Sequence, residues 1–262
     1  MSISRVATCP KESTCEDHEA WPDLAERVIA ILGQSFVFSL LLITSTSLFI
    51  SGCSDSPGRA KMKAKQKLAE AVELISARRY EEALPLLDEA VRLNPENTDS
   101  LLARGTVYRK CQRYSEAITD YDSVIRIEPQ NGDAYCQRAF ARQQSLTDPT
   151  ENTVLADANR AIELDPDSAL AHLIRGNVHV LQRNFDKAIS DFSRTAQLNP
   201  RSYSAFGCRA RAYFMKHEFQ KAEKDYETAF SLHPPAEERK VLEINREFMR
   251  QEIERMSRIQ TK

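Results

Sequence analysis

From about residue 64 onward the chain reads as a succession of helix-like runs, each closing on an apolar residue, a polar residue and proline. The closing phrases are Leu93-Asn94-Pro95, Ile127-Glu128-Pro129, Leu164-Asp165-Pro166, Leu198-Asn199-Pro200 and Leu232-His233-Pro234. Their prolines lie 34, 37, 34 and 34 residues apart. Proline cannot continue a helix, and it biases the residue before it away from helical backbone, so each phrase ends a unit. A fixed period of this size predicts a stacked array of small helical units rather than one globular core.

With each proline placed at position 32 of a 34-residue unit, the other positions fall into register. Position 8 is Ala71, Gly105, Ala139, Gly176 and Ala210, and position 20 is Ala83, Ala117, Val154, Ala188 and Ala222. Position 24 is Leu87, Tyr121, Ala158, Phe192 and Tyr226, and position 17 is aromatic in four units, at Tyr80, Tyr114, Phe185 and Phe219. Small residues at 8 and 20 let two antiparallel helices approach closely, and large ones fill the space between layers.

Over residues 64 to 234 this pattern resembles the tetratricopeptide repeat family. The resemblance implies an all-α fold: a right-handed α-solenoid of about five helix pairs, with repeats at 64–97, 98–131, 132–168, 169–202 and 203–235. A C-terminal capping helix is expected over 236–262, where Val241, Ile244, Phe248, Met249, Ile253 and Met256 keep helical spacing. Two units depart from the pattern. The first has Lys67 and Glu70 at usually apolar positions. The third carries three extra residues within Gln143 to Thr150, and has Arg142 and Ala158 at positions that are usually aromatic or large.

Residues 28–53 contain no charge, and Val28 to Ile50 is long enough to span a bilayer. The run ends in Ile50-Ser51-Gly52-Cys53, similar to the lipobox of bacterial lipoproteins. That resemblance implies alkylation of the Cys53 thiol by diacylglycerol, cleavage before it and acylation of the new amine; two or more chains anchor stably where one does not. Residues 54–63 would then be a tether. The expected location is the bacterial cell envelope, facing the periplasm or exterior. The alternative is a plain signal anchor in the inner membrane, with Arg59, Lys61, Lys63, Lys65 and Lys67 holding the repeats in the cytoplasm. Residues 1–27 are polar, acidic and without periodicity, and Cys9, Cys15 and His18 fit no common zinc spacing.

The net charge of −2 gives no electrostatic case for nucleic acid. The six cysteines (the others are Cys111, Cys136 and Cys208) do not read as a disulfide framework, because Cys136 and Cys208 fall two repeats apart. His172 and His179 share a helix face at packing positions and read as core. No phosphate loop, nucleophile elbow or zinc spacing is present, so no enzyme and no cofactor are expected.

Two further patterns bear on function. Position 7 is Arg104, Arg138, Arg175 and Arg209, and position 23 is Asp120, Asp157, Asp191 and Asp225. The two positions come level in an antiparallel pair, which predicts an Arg–Asp pair within each of these four repeats. In the family, first helices line a concave groove through positions 2, 5, 6 and 9. Here these positions supply Leu68 and Val72; Leu102, Ala103 and Thr106; Cys136, Gln137 and Phe140; Leu173, Ile174 and Asn177; and Cys208 and Arg211. No three consecutive repeats carry the Lys, Asn and Arg set with which family members grip the C-terminal carboxylate of chaperones. The expectation is a non-catalytic scaffold, tethered to a membrane, that takes an apolar or amphipathic protein or peptide segment in this groove. The alternative is an accessory lipoprotein of an envelope machine such as a pilus secretin, outer-membrane assembly or a cell-wall hydrolase.

Overall fold

The structure is a computed structural model that describes residues 57–145 and 151–260. The leader, the apolar run, Cys53 and the start of the tether lie outside these residues. Described residues fall into two compact units, one ending at Glu128 and the other beginning at Pro129.

The first unit holds two helix pairs: α1 (Pro57–Ser76) with α2 (Tyr80–Leu93), and α3 (Thr98–Lys110) with α4 (Tyr114–Ile127). The second holds three pairs and a final helix. They are α5 (Gly132–Gln144) with α6 (Glu151–Leu164), α7 (Ala169–Leu181) with α8 (Phe185–Leu198), α9 (Tyr203–Met215) with α10 (Phe219–Ser231), and α11 (Ala236–Gln260). The aromatic at position 17 is the first residue of α2, α4, α8 and α10. Three second helices stop on the apolar residue of their closing phrase, at Leu93, Ile127 and Leu198, as does α6 at Leu164. By contrast α10 stops one residue short, at Ser231, and His233 takes a φ of 54° before Pro234.

Each turn into a following first helix is built by one side chain. Asn97, Asn131, Ser168 and Ser202 cap α3, α5, α7 and α9 by accepting from the backbone N–H three residues on. Such a cap satisfies one of the four orphan donors of a helix start and contributes about 1 kcal/mol. The turns within pairs are left-handed at Arg78, Gln112, Arg183 and His217, with φ of 58°, 59°, 60° and 63°. At the end of α1, Arg79 N–H donates to Leu74 C=O at 2.8 Å and Arg78 N–H to Ile75 C=O at 2.9 Å, closing the helix in a Schellman motif.

Positions 8 and 24 meet in each core. A Cβ at Gly105 would stand 2.7 Å from the Tyr121 ring, and one at Gly176 would stand 2.5 Å from the Phe192 ring. Glycine at position 8 admits the ring against the first helix in these two repeats, whereas in the last repeat Ala210 packs with Tyr226. Where the pair is Ala139 and Ala158, both are fully buried without a ring between them.

Two expectations shift. Part of the expected tether is helix: α1 starts at Pro57, because residues 59–69 are mostly Lys, Ala, Gln, Met and Leu, all good helix formers. In α11 the buried apolar residues are Leu242 and Met249, packed with Ala210, Tyr226 and Ala229, whereas Ile244 and Phe248 are exposed. Spacing alone does not single out Leu242, because Val241 stands beside it. Its partner is Gly207, whose missing Cβ leaves room for the Leu242 methyl.

Candidate functional site

The residues expected to line the groove divide by depth. Leu68, Leu102, Cys136, Phe140, Leu173, Ile174 and Cys208 are buried. The reason is stacking between successive first helices. Leu68 on α1 shares a core with Ala103 and Val107 on α3. Cys136 and Phe140 on α5 pack with Ile174 and Val178 on α7, and Leu173 on α7 packs with Cys208 and Ala212 on α9. Position 5 of one repeat thus closes against positions 6 and 10 of the next. What remains half-exposed is Val72 and Thr106 in the first unit, and Gln137, Asn177 and Arg211 in the second. The apolar residues form the floor of this face, and the side chains left to meet a partner are mainly polar. The Gln137 carbonyl oxygen is buried and finds no donor among the described residues.

The Arg–Asp ladder recurs in both units. Arg104 grips Asp120 with Nε at 2.9 Å and a terminal nitrogen at 2.7 Å, and Arg138 grips Asp157 at 2.9 and 2.6 Å. Arg175 holds Asp191 at 3.0 and 2.7 Å, and Arg209 holds Asp225 at 2.7 and 2.8 Å. All four carboxylates are buried. The third nitrogen of the fork crosses to the preceding repeat, from Arg104 to Asp88, from Arg175 to Asn159 and from Arg209 to Ser193. Sequence spacing shows the pair within a repeat but not this second reach. From α11, Arg246 and Arg250 both donate to Glu223 on the last second helix.

Around Asp191 the ladder gains two histidines. His172 lies buried with Nδ1 3.4 Å from Asp191 and Nε2 3.0 Å from the Pro166 carbonyl, so both ring nitrogens face acceptors. His179 Nε2 stands 3.9 Å from the other Asp191 oxygen, and its Nδ1 is buried without a partner among the described residues. Position 11 carries Arg142 in the preceding repeat, and it likewise reaches its aspartate, Asp157, at 2.6 Å. An open cleft of about 500 Å³ lies beside this cluster, lined by His172, Arg175, Ser190, Asp191, Arg194 and Gln197. Both Asp191 oxygens accept from Arg175, and no cluster of three His, Cys, Asp or Glu placed to hold a metal occurs among the described residues.

The electrostatic balance differs along the ladder. Burial pushes the Asp120 carboxyl above its usual value, and Arg104 offsets this only in part. Burial also opposes ionisation of Asp191, but there the hydrogen bonds from His172 and Arg175 outweigh it and hold the carboxyl low. Burial lowers His179, with Asp191 pulling the other way. Arg104 and Arg209 are held above the usual arginine range by their aspartates.

Among the described residues no helix is long and apolar enough to cross a membrane. Cys111 is half-buried, and Cys136 and Cys208 sit buried in separate cores; none of the three is in a disulfide.

A family model for the tetratricopeptide repeat matches residues 68–132 and 155–203. No curated protein sequence matches the chain. Solved structures do. PilW, a widely conserved type IV pilus biogenesis factor, aligns at a TM-score of 0.58 and 19% identity, covering 64% of this chain and 77% of its own. TTC0263, a thermophilic repeat protein of Thermus thermophilus, aligns at 0.56 and 20%, covering 71% of this chain and 98% of that one. YrrB, described as having an unusual peptide-binding site, aligns at 0.51 and 23%, covering 66% and 87%. The helix pairs, their packing at positions 8 and 24 and these likenesses together make the fold that of the tetratricopeptide repeat proteins.

Proposed function

We propose that this chain is a non-catalytic adaptor that binds a protein or peptide on the first-helix face of its repeats and is tethered to a bacterial membrane by its N-terminal segment. The observation that carries the binding reading is the division of that face by depth. Stacking consumes the apolar residues, while Thr106 in the first unit, and Gln137, Asn177 and Arg211 in the second, keep polar groups at the surface. Within the second unit, the row of Gln137, Asn177 and Arg211 suits an extended segment whose backbone amides and carbonyls are met by polar side chains. YrrB, whose description names a peptide-binding site, supports the reading by its likeness of fold.

The tether rests on the uncharged run of residues 28–53 and on Ile50-Ser51-Gly52-Cys53. A second reading, an accessory lipoprotein of an envelope machine, is favoured by that motif together with the likeness to PilW. Peptide-library panning on the chain tests the binding face. Asn177→Ala and Arg211→Glu should keep their helical circular dichroism and melting temperature yet lose the selected peptides. Unchanged capture by both would remove the first-helix face from consideration. Palmitate labelling tests the tether: label should enter the wild type and be absent from Cys53→Ala, and an unlabelled full-length membrane protein would leave the signal-anchor alternative standing.

A further inference from the structure

The first two turns of α1 have a surface that helix stability does not explain. Within residues 57–66 there are four cations and no acid. Cations at a helix N-terminus oppose the helix dipole, which favours acids there. The next three first helices follow the favoured sign or are uncharged: Asp99 opens α3, Asp133 opens α5, and α7 has no charge in its first turn.

Nor are these cations all needed as ion-pair partners. Lys63 and Lys67 reach Glu89 on α2, at 3.3 and 4.0 Å, and Lys67 also holds Glu70 at 2.9 Å. Arg59, Lys61 and Lys65 are exposed and meet no acid among the described residues. Met62 stands among them with 73% of its surface exposed, the most open large apolar side chain described. At about 100° per residue Met62 projects about 160° from the buried Ala64, with Lys65 and Arg59 on either side of it. This face therefore points directly away from the repeat core, with one apolar side chain flanked by two cations and Lys61 further round, about 100° from Met62.

Its place in the chain gives it an occupant. Gly58 and Pro57 separate it by only a few residues from Cys53 and the uncharged run of residues 28–53. We propose that this face of α1 docks on an anionic phospholipid surface, with Arg59, Lys61 and Lys65 meeting headgroup phosphates and Met62 entering the boundary between headgroups and acyl chains. Basic side chains beside a membrane-proximal segment attract anionic headgroups, and an apolar side chain among them adds burial at the headgroup–acyl boundary. The inference rests on the membrane reading above for its location. Its consequence is orientation: a helix continuous with the first repeat, laid on the surface, fixes how that repeat stands at the membrane instead of leaving it on a flexible leash.

The test uses the full chain with Trp21→Phe and Met62→Trp, which leaves a single tryptophan, at position 62. It is reconstituted with vesicles of brominated phosphatidylcholine, alone or mixed with brominated phosphatidylglycerol. The fluorescence of the introduced indole should be quenched on the phosphatidylglycerol vesicles, spared on the neutral ones and recovered at high salt. Adding Arg59→Gln, Lys61→Gln and Lys65→Gln should abolish the quenching, the docking equilibrium constant falling about fivefold for each charge removed. Equal quenching on both vesicles, or none on either, overturns the proposal, as does a fluorescence response to an acidic polypeptide with none to vesicles. Flotation separates this from the tether. Chain that floats on neutral vesicles without charge-dependent quenching refutes the docking face alone. Chain that floats only on anionic vesicles, with quenching, refutes the apolar anchor and keeps the docking face. Chain that floats on neither refutes both.

Discussion

Asp191 accepts from both nitrogens of Arg175 and faces His172 and His179, whereas Asp120 has Arg104 as its close partner. The two carboxylates are similarly buried, so the difference in their ionisation follows from the number of donors. Asp191, held low, stabilises the fold above its unfolded value and ceases to do so as pH falls through its folded value, below about 3.9. Asp120, held high, binds its proton more tightly when folded, so it costs stability as pH rises past its unfolded value. Asp191→Asn should therefore destabilise by about 2 kcal/mol at neutral pH and Asp120→Asn by less, both read from urea unfolding. A double-mutant cycle on Arg175 and Asp191 should give a coupling of about 1–3 kcal/mol; zero coupling would mean that the fork contributes nothing beyond solvation. His179 sets a second pH window. Its imidazole is lowered by burial, with Asp191 opposing and Gln182, Arg175 and Lys187 as its other neighbours. Its contribution is present above about 6.5 and is lost as pH falls through the lower folded value. His179→Leu should flatten the melting temperature between pH 7 and 5; an unchanged slope would place the titration elsewhere.

At the scale of the helix pair, the close approach of the two helices is decided by what stands at positions 8 and 24. Gly176 lies inside α7, where alanine would gain about 1 kcal/mol in helix propensity. Its Cβ would meet a fully buried Phe192 ring at 2.5 Å, and forced repacking of a core costs about 1–3 kcal/mol. Gly176→Ala should thus lower the melting temperature in the wild type and raise it in a Phe192→Ala background, a change of sign that propensity alone does not produce. The pairing was legible in the sequence because Gly105 and Gly176 recur opposite Tyr121 and Phe192 at constant spacing. The turns were not. Left-handed backbone is usually announced by Gly or Asn, and here Arg78, Gln112, Arg183 and His217 adopt it, because the Schellman hydrogen bonds at the helix end outweigh the cost of a Cβ. The depth of Leu173 and Ile174 stayed open in the sequence, which allowed either groove lining or packing against the neighbouring first helix. Spacing assigns a residue to a helix face, but whether that face is floor or surface depends on the next repeat, which closes on Leu173 through Cys208 and Ala212.

For the molecule as a chain of repeats, stability is a sum of nearest-neighbour terms, and an array fails first where a neighbour is missing. In the unit beginning at Pro129, α11 supplies the last neighbour. It covers the final pair with Leu242 and Met249, seats Leu242 over Gly207, and pairs Arg246 with Glu223. Burial of two such side chains contributes about 3–6 kcal/mol to the layer they close. It also shields Tyr226 and Ala229, which would otherwise meet water across the face of α10. Removing residues 236–262 should therefore not weaken the unit evenly. Amide hydrogen exchange should lose protection mainly in α9 and α10, by about two powers of ten or more, while α5 and α6, which share a core with α7, keep most of theirs. Leu242→Asp should give the same gradient without shortening the chain, because it places a charge against Gly207 and leaves the rest of α11 in place. Uniform loss of protection from α5 to α10 would show that the unit unfolds as one cooperative block, and that α11 is part of its core rather than its closing layer.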